Sequence, residues 1–168
     1  MYMKRPQKGF TLIELLIVIA VIGILSTVLI SVIQGARSDA YTARAITEFK
    51  SFAQAMEFYL IDYDEYPPDV SRNIPSGMEE YLGGGTWPDG PHPGSVYDWD
   101  NITEHGYIQI SLRFCDINGE NCNFPDEPWA EDFDDKSAMY WCFEGPCRSH
   151  PDRSVDHPGY CVSCKGQN

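Results

Sequence analysis

The chain has 168 residues, of which 12 are basic and 25 acidic, for a formal charge of −13. Its N-terminal part is apolar, which leaves roughly a hundred residues for a soluble part and room for one small core. A surface this acidic repels phosphate backbones and argues against direct nucleic-acid binding by the monomer.

Residues 1–9 form a short leader with Lys4, Arg5 and Lys8. Behind it, Phe10 to Ile33 reads FTLIELLIVIAVIGILSTVLISVI, 24 residues with one ionisable side chain. At about 1.5 Å per residue this covers a bilayer core. No basic residue follows until Arg37, so the positive-inside bias keeps the N-terminus cytoplasmic and sends the remainder outward. Loss of the leader would leave 9 basic against 25 acidic residues, a charge of −16.

An ordinary secretory signal has a shorter apolar stretch and a small-residue cleavage site after it, and neither is present. A buried core helix needs no basic flank, and a plain membrane anchor has no use for Glu14. An ionisable residue at the centre of a spanning helix costs on the order of 2.5–3.5 kcal/mol and is usually kept for a partner. The apolar segment offers Glu14 no cation. A cut after Gly9 would supply one, the α-amino group of Phe10, one helical turn from Glu14 and able to pair with the Glu14 of a neighbouring subunit.

Lys8 to Leu25, K-G-F-T-L-I-E-L-L-I-V-I-A-V-I-G-I-L, closely resembles the N-terminal signature of type IV pilins and type II secretion pseudopilins. Basic leader, Gly before Phe, and Glu at the fifth mature position occur together. The resemblance implies a prepilin peptidase that cuts between Gly9 and Phe10 and N-methylates Phe10. It further implies an inner-membrane assembly platform, Glu14 registering each incoming subunit, and a helical filament of copies of this chain and related pilins. Catalysis then belongs to the peptidase, and this chain is no enzyme. Many family members carry a proline where this chain has Ser31, and their filament helix melts between that proline and a glycine matched by Gly23. Gly23 weakens a helix by about 1 kcal/mol relative to alanine; it equally suits close helix packing in a membrane.

Beyond Gln34-Gly35 the pattern stays helical, with Ala43, Ile46, Phe49, Ala53, Met56 and Leu60 stepping by three or four. Residues 34–66 are therefore expected as the extracytoplasmic half of one helix, stopped by Pro67-Pro68. Tyr59, Tyr63 and Tyr66 read as packing against the head rather than as a stacked array for a ligand or electrons. Thr47 to Tyr59 and the Asp62 to Pro68 stretch after it are also similar to the major pseudopilin pattern, as, more loosely, are Tyr81-Leu82, Trp87-Pro88 and Glu127-Pro128-Trp129.

Residues 67–168 form the head. From 67 to about 105, Pro and Gly predict a connecting loop with a short helix near Gly77 to Leu82. Tyr107 to Phe114 alternates, placing Ile108, Ile110, Leu112 and Phe114 on one face of a half-buried strand. Ser137 to Phe143 and Gly159 to Cys164 supply two more strands. The expected fold is α+β: a long N-terminal helix packed on a small antiparallel sheet, with a disulfide-stapled C-terminal region.

All six cysteines, Cys115, Cys122, Cys142, Cys147, Cys161 and Cys164, lie in the last third. In an outward-facing chain they read as a disulfide framework whose connectivity the sequence leaves open. Cys161-x-x-Cys164 with Cys142, Cys147, His150 and His157 also has the elements of a zinc site, which that location disfavours. Asp116, Asn118 and Glu120 beside a glycine are faintly like the start of a calcium loop, within a run rich in carboxylates. Major pseudopilins often carry calcium in this part of the head, although their ligand pattern is not matched residue by residue. No hydrolase elbow, zinc-protease helix or phosphate loop occurs. The sequence thus points to a structural subunit of a type IV pilus-like filament, with a major-type pseudopilin of a secretion machine as the close alternative. From another class comes a single-pass anchor bearing a disulfide-stapled binding domain.

Overall fold

The computed structural model describes residues 9–115, 118, 120–125, 127, 129–130, 137–145 and 159–164, with the backbone alone at 31, 137 and 138. Two compact units divide the chain, Met1–Arg37 and Ser38–Asn168. The helix α1, Leu12–Tyr63, contributes to both.

In the first unit α1 begins directly after Thr11 and presents Leu, Ile and Val side chains on every side, all of them exposed. A helix apolar all round has no solvated face, which suits lipid or other helices. It is long and apolar enough to cross a membrane. The backbone stays helical through Gly23 to Ser31, while Ser26 Oγ donates to Ile22 O at 2.7 Å and Thr27 Oγ1 to Ile24 O at 2.8 Å. Hydroxyls bonded back to the preceding turn in this way are satisfied without leaving the helix.

In the second unit α1 packs one face on a four-stranded sheet, β1 (Val96–Ile102), β2 (Tyr107–Arg113), β3 (Ser137–Glu144) and β4 (Tyr160–Ser163), in the order β1-β2-β3-β4. Ala45, Phe49, Phe52, Met56 and Tyr59 meet Tyr97, Trp99, Ile108, Ile110, Leu112, Phe114 and Met139 in one core. The apolar alternation of β2 is as expected, with Ile108, Ile110, Leu112 and, just past the strand, Phe114 in that core, but the strand is not half-buried: Tyr107, Gln109 and Ser111 on its other face are buried as well. The helix stripe is turned from the expected one, because Ala43 is exposed and Ile46 and Leu60 are half-buried. Phe52 and Tyr59 take the centre instead, where large aromatic rings remove more area from water.

Four expectations need correction. The helix stops at Tyr63, three residues before Tyr66: Asp64 adopts φ 59°, and its N–H bonds Leu60 O at 2.9 Å. A left-handed residue closes a helix in this manner. Residues 77–82 form no helix but successive tight turns, Met78 N–H to Pro75 O and Tyr81 N–H to Met78 O, both at 3.1 Å; they still bury Met78 and Leu82. The segment expected as loop contains β1, whose Tyr97 and Trp99 are fully buried. Finally, the sheet is mixed: β1, β2 and β3 are antiparallel but β4 runs parallel to β3. Parallel neighbours need a crossover of about a dozen residues or more, and the stretch from Glu144 to Tyr160 provides one.

Candidate functional site

At the head of α1, Thr11 is the last residue outside the helix and Glu14 stands in its first turn. Thr11 N–H donates to Glu14 Oε2 at 2.8 Å and Thr11 Oγ1–H to the same oxygen at 2.7 Å, while Glu14 N–H donates to Thr11 Oγ1 at 3.3 Å. T-x-x-E is thus a reciprocal capping box that satisfies two otherwise orphaned donors. The carboxylate also lies at the positive end of the helix macrodipole. Gly9 and Phe10 precede the cap in non-helical backbone, with Phe10 93% exposed. The structure therefore brings Gly9, Phe10 and Glu14 into one exposed, pre-ordered N-terminal segment; Lys4, Arg5 and Lys8 lie outside the described residues. The capping role of Glu14 was readable from Thr11 and its three-residue spacing.

Residues 4–30 match the family model for the prokaryotic N-terminal methylation motif. The similarity extends past that motif. Type II secretion system core protein G of Vibrio cholerae is 27% identical over 77% of this chain and 70% of its own length. The protein of the same name from Aeromonas hydrophila is 33% identical over 46% of this chain and 57% of its own. Type IV major pilin protein PilE of Neisseria gonorrhoeae is 28% identical over 91% of this chain and 84% of its own length. The chain is similar over most of its length to type IV pilins and type II secretion pseudopilins. No solved structure matches. The long helix on a small sheet with disulfides in the C-terminal part is a pilin-like α+β plan, and the apolar start of α1 suits membrane anchoring.

The cysteines resolve into bonds. Cys115 pairs with Cys122 and Cys161 with Cys164. Cys142 is also disulfide-bonded, with Cys147 outside the described residues. Among the described residues no cysteine is free, so Cys161 and Cys164 have no thiolates to offer zinc. Asn118 and Glu120 are exposed, whereas Asp116 lies outside the described residues, as do His150 and His157. Among the described residues no group of three or more His, Cys, Asp or Glu side chains gathers as a metal site would require. Tyr59 and Tyr66 pack as expected, Tyr59 buried and Tyr66 against Trp99 and Phe143, whereas Tyr63 is 52% exposed with its ring 4.4 Å from that of Tyr59.

A cluster that the sequence did not announce lies on the sheet face turned away from α1. Arg113 Nη2 forms an ion pair with Asp98 Oδ2 and stands 3.6 Å from Asp100 Oδ1. Gln109 Nε2–H donates to Asp100 Oδ2 at 2.9 Å, and Arg72 N–H donates to Asp98 Oδ1 at 2.5 Å. The Asn101 N–H donates to Asp69 Oδ1 at 3.0 Å. These bonds, with a bridge between Val70 and Trp99, cover the outer edge of β1, which would otherwise present unpaired backbone groups. Burial, and secondly the charge of Asp98, push the Asp100 carboxyl up to about 7; burial also raises that of Asp69. With one guanidinium serving two carboxylates, the cluster is a structural clamp rather than acid–base machinery.

Proposed function

We propose that this chain is a structural subunit of a type IV pilus-like filament, made as a prepilin, cut between Gly9 and Phe10, N-methylated at Phe10 and assembled through α1. The supporting observation is the motif over residues 4–30 joined to a Glu14 already held at the helix start. Before assembly the chain sits in the inner membrane, N-terminus in the cytoplasm and head outside. The prepilin peptidase and an assembly platform are its partners there, and copies of itself and related pilins afterwards. The similarity to core protein G supports equally a major-type pseudopilin of a type II secretion system. Both readings share the same subunit chemistry.

Glu14 would then serve twice, capping its own helix and meeting the Phe10 ammonium of a neighbour where the low-dielectric surroundings strengthen the pair. The two roles separate by mutation. Glu14→Gln keeps a capping side chain but removes the charge, and Glu14→Ala removes both. Sheared surface material from the wild type is expected to contain a chain that begins at methylated Phe10, read by intact mass and N-terminal sequencing. Both variants are expected to remain in the membrane with filament-borne protein at background. Normal filaments from Glu14→Gln would refute charge pairing, and a chain still starting at Met1 would refute the processing.

A further inference from the structure

On the second unit, α1 leaves an apolar patch uncovered where its other face is fully packed. Phe58 and Ile61, one turn apart, are 59% and 74% exposed. Around and just beyond them stand Glu57, Asp62, Asp64 and Glu65, all exposed, and the last turn of α1 contains no basic residue. Acidic groups at a helix C-terminus face the negative end of the macrodipole and are stabilised by an incoming cation. The patch therefore suits a partner that offers apolar side chains followed, one turn later, by a positive charge.

The same chain carries that partner. Ile30 and Ile33 are exposed, and Arg37, one turn further, is exposed with no ion pair among the described residues. The spacings coincide on the helix: 58 − 30 and 61 − 33 are each 28 positions, and Arg37, one turn beyond Ile33, then falls at the level where α1 ends among Asp62, Asp64 and Glu65. We infer that the Phe58–Ile61 patch of one subunit receives the Ile30–Arg37 stretch of a second copy, helices parallel, with Ile30 against Phe58, Ile33 against Ile61, and Arg37 against Glu65 and Asp62. Parallel alignment follows if every subunit enters from the membrane in the same direction, so this inference rests on the filament reading. In that register the apolar residues that α1 exposes on leaving lipid lie on apolar residues, and Arg37 meets the acidic helix end. Antiparallel copies that keep both apolar pairs, Ile30 with Ile61 and Ile33 with Phe58, would set Arg37 opposite Gln54 and leave Asp62, Asp64 and Glu65 without a cation.

The experiment uses the full-length chain in cells that assemble it, comparing wild type, Arg37→Glu, Glu65→Arg and the double exchange, alongside an Ile33→Cys/Ile61→Cys pair. All these positions are exposed, so folding of the head is not at stake. Each single charge reversal is expected to lower filament-borne protein by about threefold to fivefold, the range of an exposed ion pair at its stronger end, and the double exchange to restore it. Mild oxidation of filaments bearing both new cysteines is expected to give reducible dimers and higher ladders, absent from either single-cysteine strain. Filaments that form normally without the ladder, or a double exchange no better than the worse single variant, would overturn the inference alone and assign the patch to another partner. Wild-type protein never recovered in filaments would overturn the filament reading and this register with it.

Discussion

Truncating Arg113 to alanine is expected to destabilise the folded head by about 3–5 kcal/mol, the cost of removing one partner from a buried ion pair. Its guanidinium is the cation shared by Asp98 and Asp100, and the side chains of the three are only 12%, 1% and 11% exposed. Without it two carboxylates would face one another on a sheet face that water barely reaches. Chemical unfolding of the detergent-solubilised chain, followed by near-ultraviolet circular dichroism of its tryptophans, reads the loss directly. A loss below about 1 kcal/mol, the level of a surface pair, would show that the clamp is not buried in solution. Arg113→Met should cost nearly as much, because restoring volume does nothing for the stranded charges.

The same cluster sets a pH dependence of definite sign. The Asp100 carboxyl is pushed up to about 7 in the folded chain by burial and by Asp98, with Gln109 and Arg113 opposing and Asp69 adding to the rise. Between its ordinary value and that raised one, the folded state holds a proton that the unfolded state has released. Stability contributed by this group therefore falls as pH rises through that window, and the loss is complete above it. Asp100→Asn is expected to flatten this part of the profile; an unchanged slope would place its origin elsewhere.

How far the fold could be read in advance follows from where its stabilising partners lie in sequence. Local signals sufficed to place α1 and β2: the 3.6-residue spacing around Phe49 and Met56, and the alternation of Ile108, Ile110, Leu112 and Phe114, each mark residues of the core. They carry neither the turn of the helix stripe onto Phe52 and Tyr59 nor the burial of Gln109 and Ser111 on the other face of β2. The N-terminal motif was legible for the same reason, since Gly9, Phe10, Thr11 and Glu14 are neighbours in the chain. β1 was not. Its sequence, VYDWDNI, alternates, but two of its positions are aspartates, which are depleted in strands, and their partner Arg113 is supplied by a different strand. The parallel docking of β4 likewise depends on a pairing across the Glu144–Tyr160 connection that no local pattern encodes. The helix end was misplaced because the prolines are a loud stop signal and Asp64 a quiet one: only its left-handed backbone shows that the chain turns before Tyr66.

Trp99→Ala is expected to cost about 3–5 kcal/mol, the range for deleting a large buried aromatic ring, and to do so from the very strand that composition hides. Trp99 is fully buried, its ring lies 5.5 Å from Phe143 and 6.1 Å from Tyr66, and its Nε1–H donates to Pro67 O at 3.0 Å. That carbonyl also accepts from Asn101 Nδ2 at 2.7 Å, so truncation leaves no orphaned acceptor, and the expected cost is one of cavity and lost contact. Trp99→Phe should accordingly recover most of the loss, whereas a hydrogen-bond-dominated site would leave it as damaged as alanine. The tryptophan ties the exit of α1, through Tyr66 and Pro67, to β1 and β3. Its loss should therefore also raise amide exchange at β1 and its clamp residues Asp98 and Asp100 before that of the central strand β2. Uniform exchange across all three strands would mean that the head opens only as a whole, and that Trp99 stabilises it without holding that corner in particular.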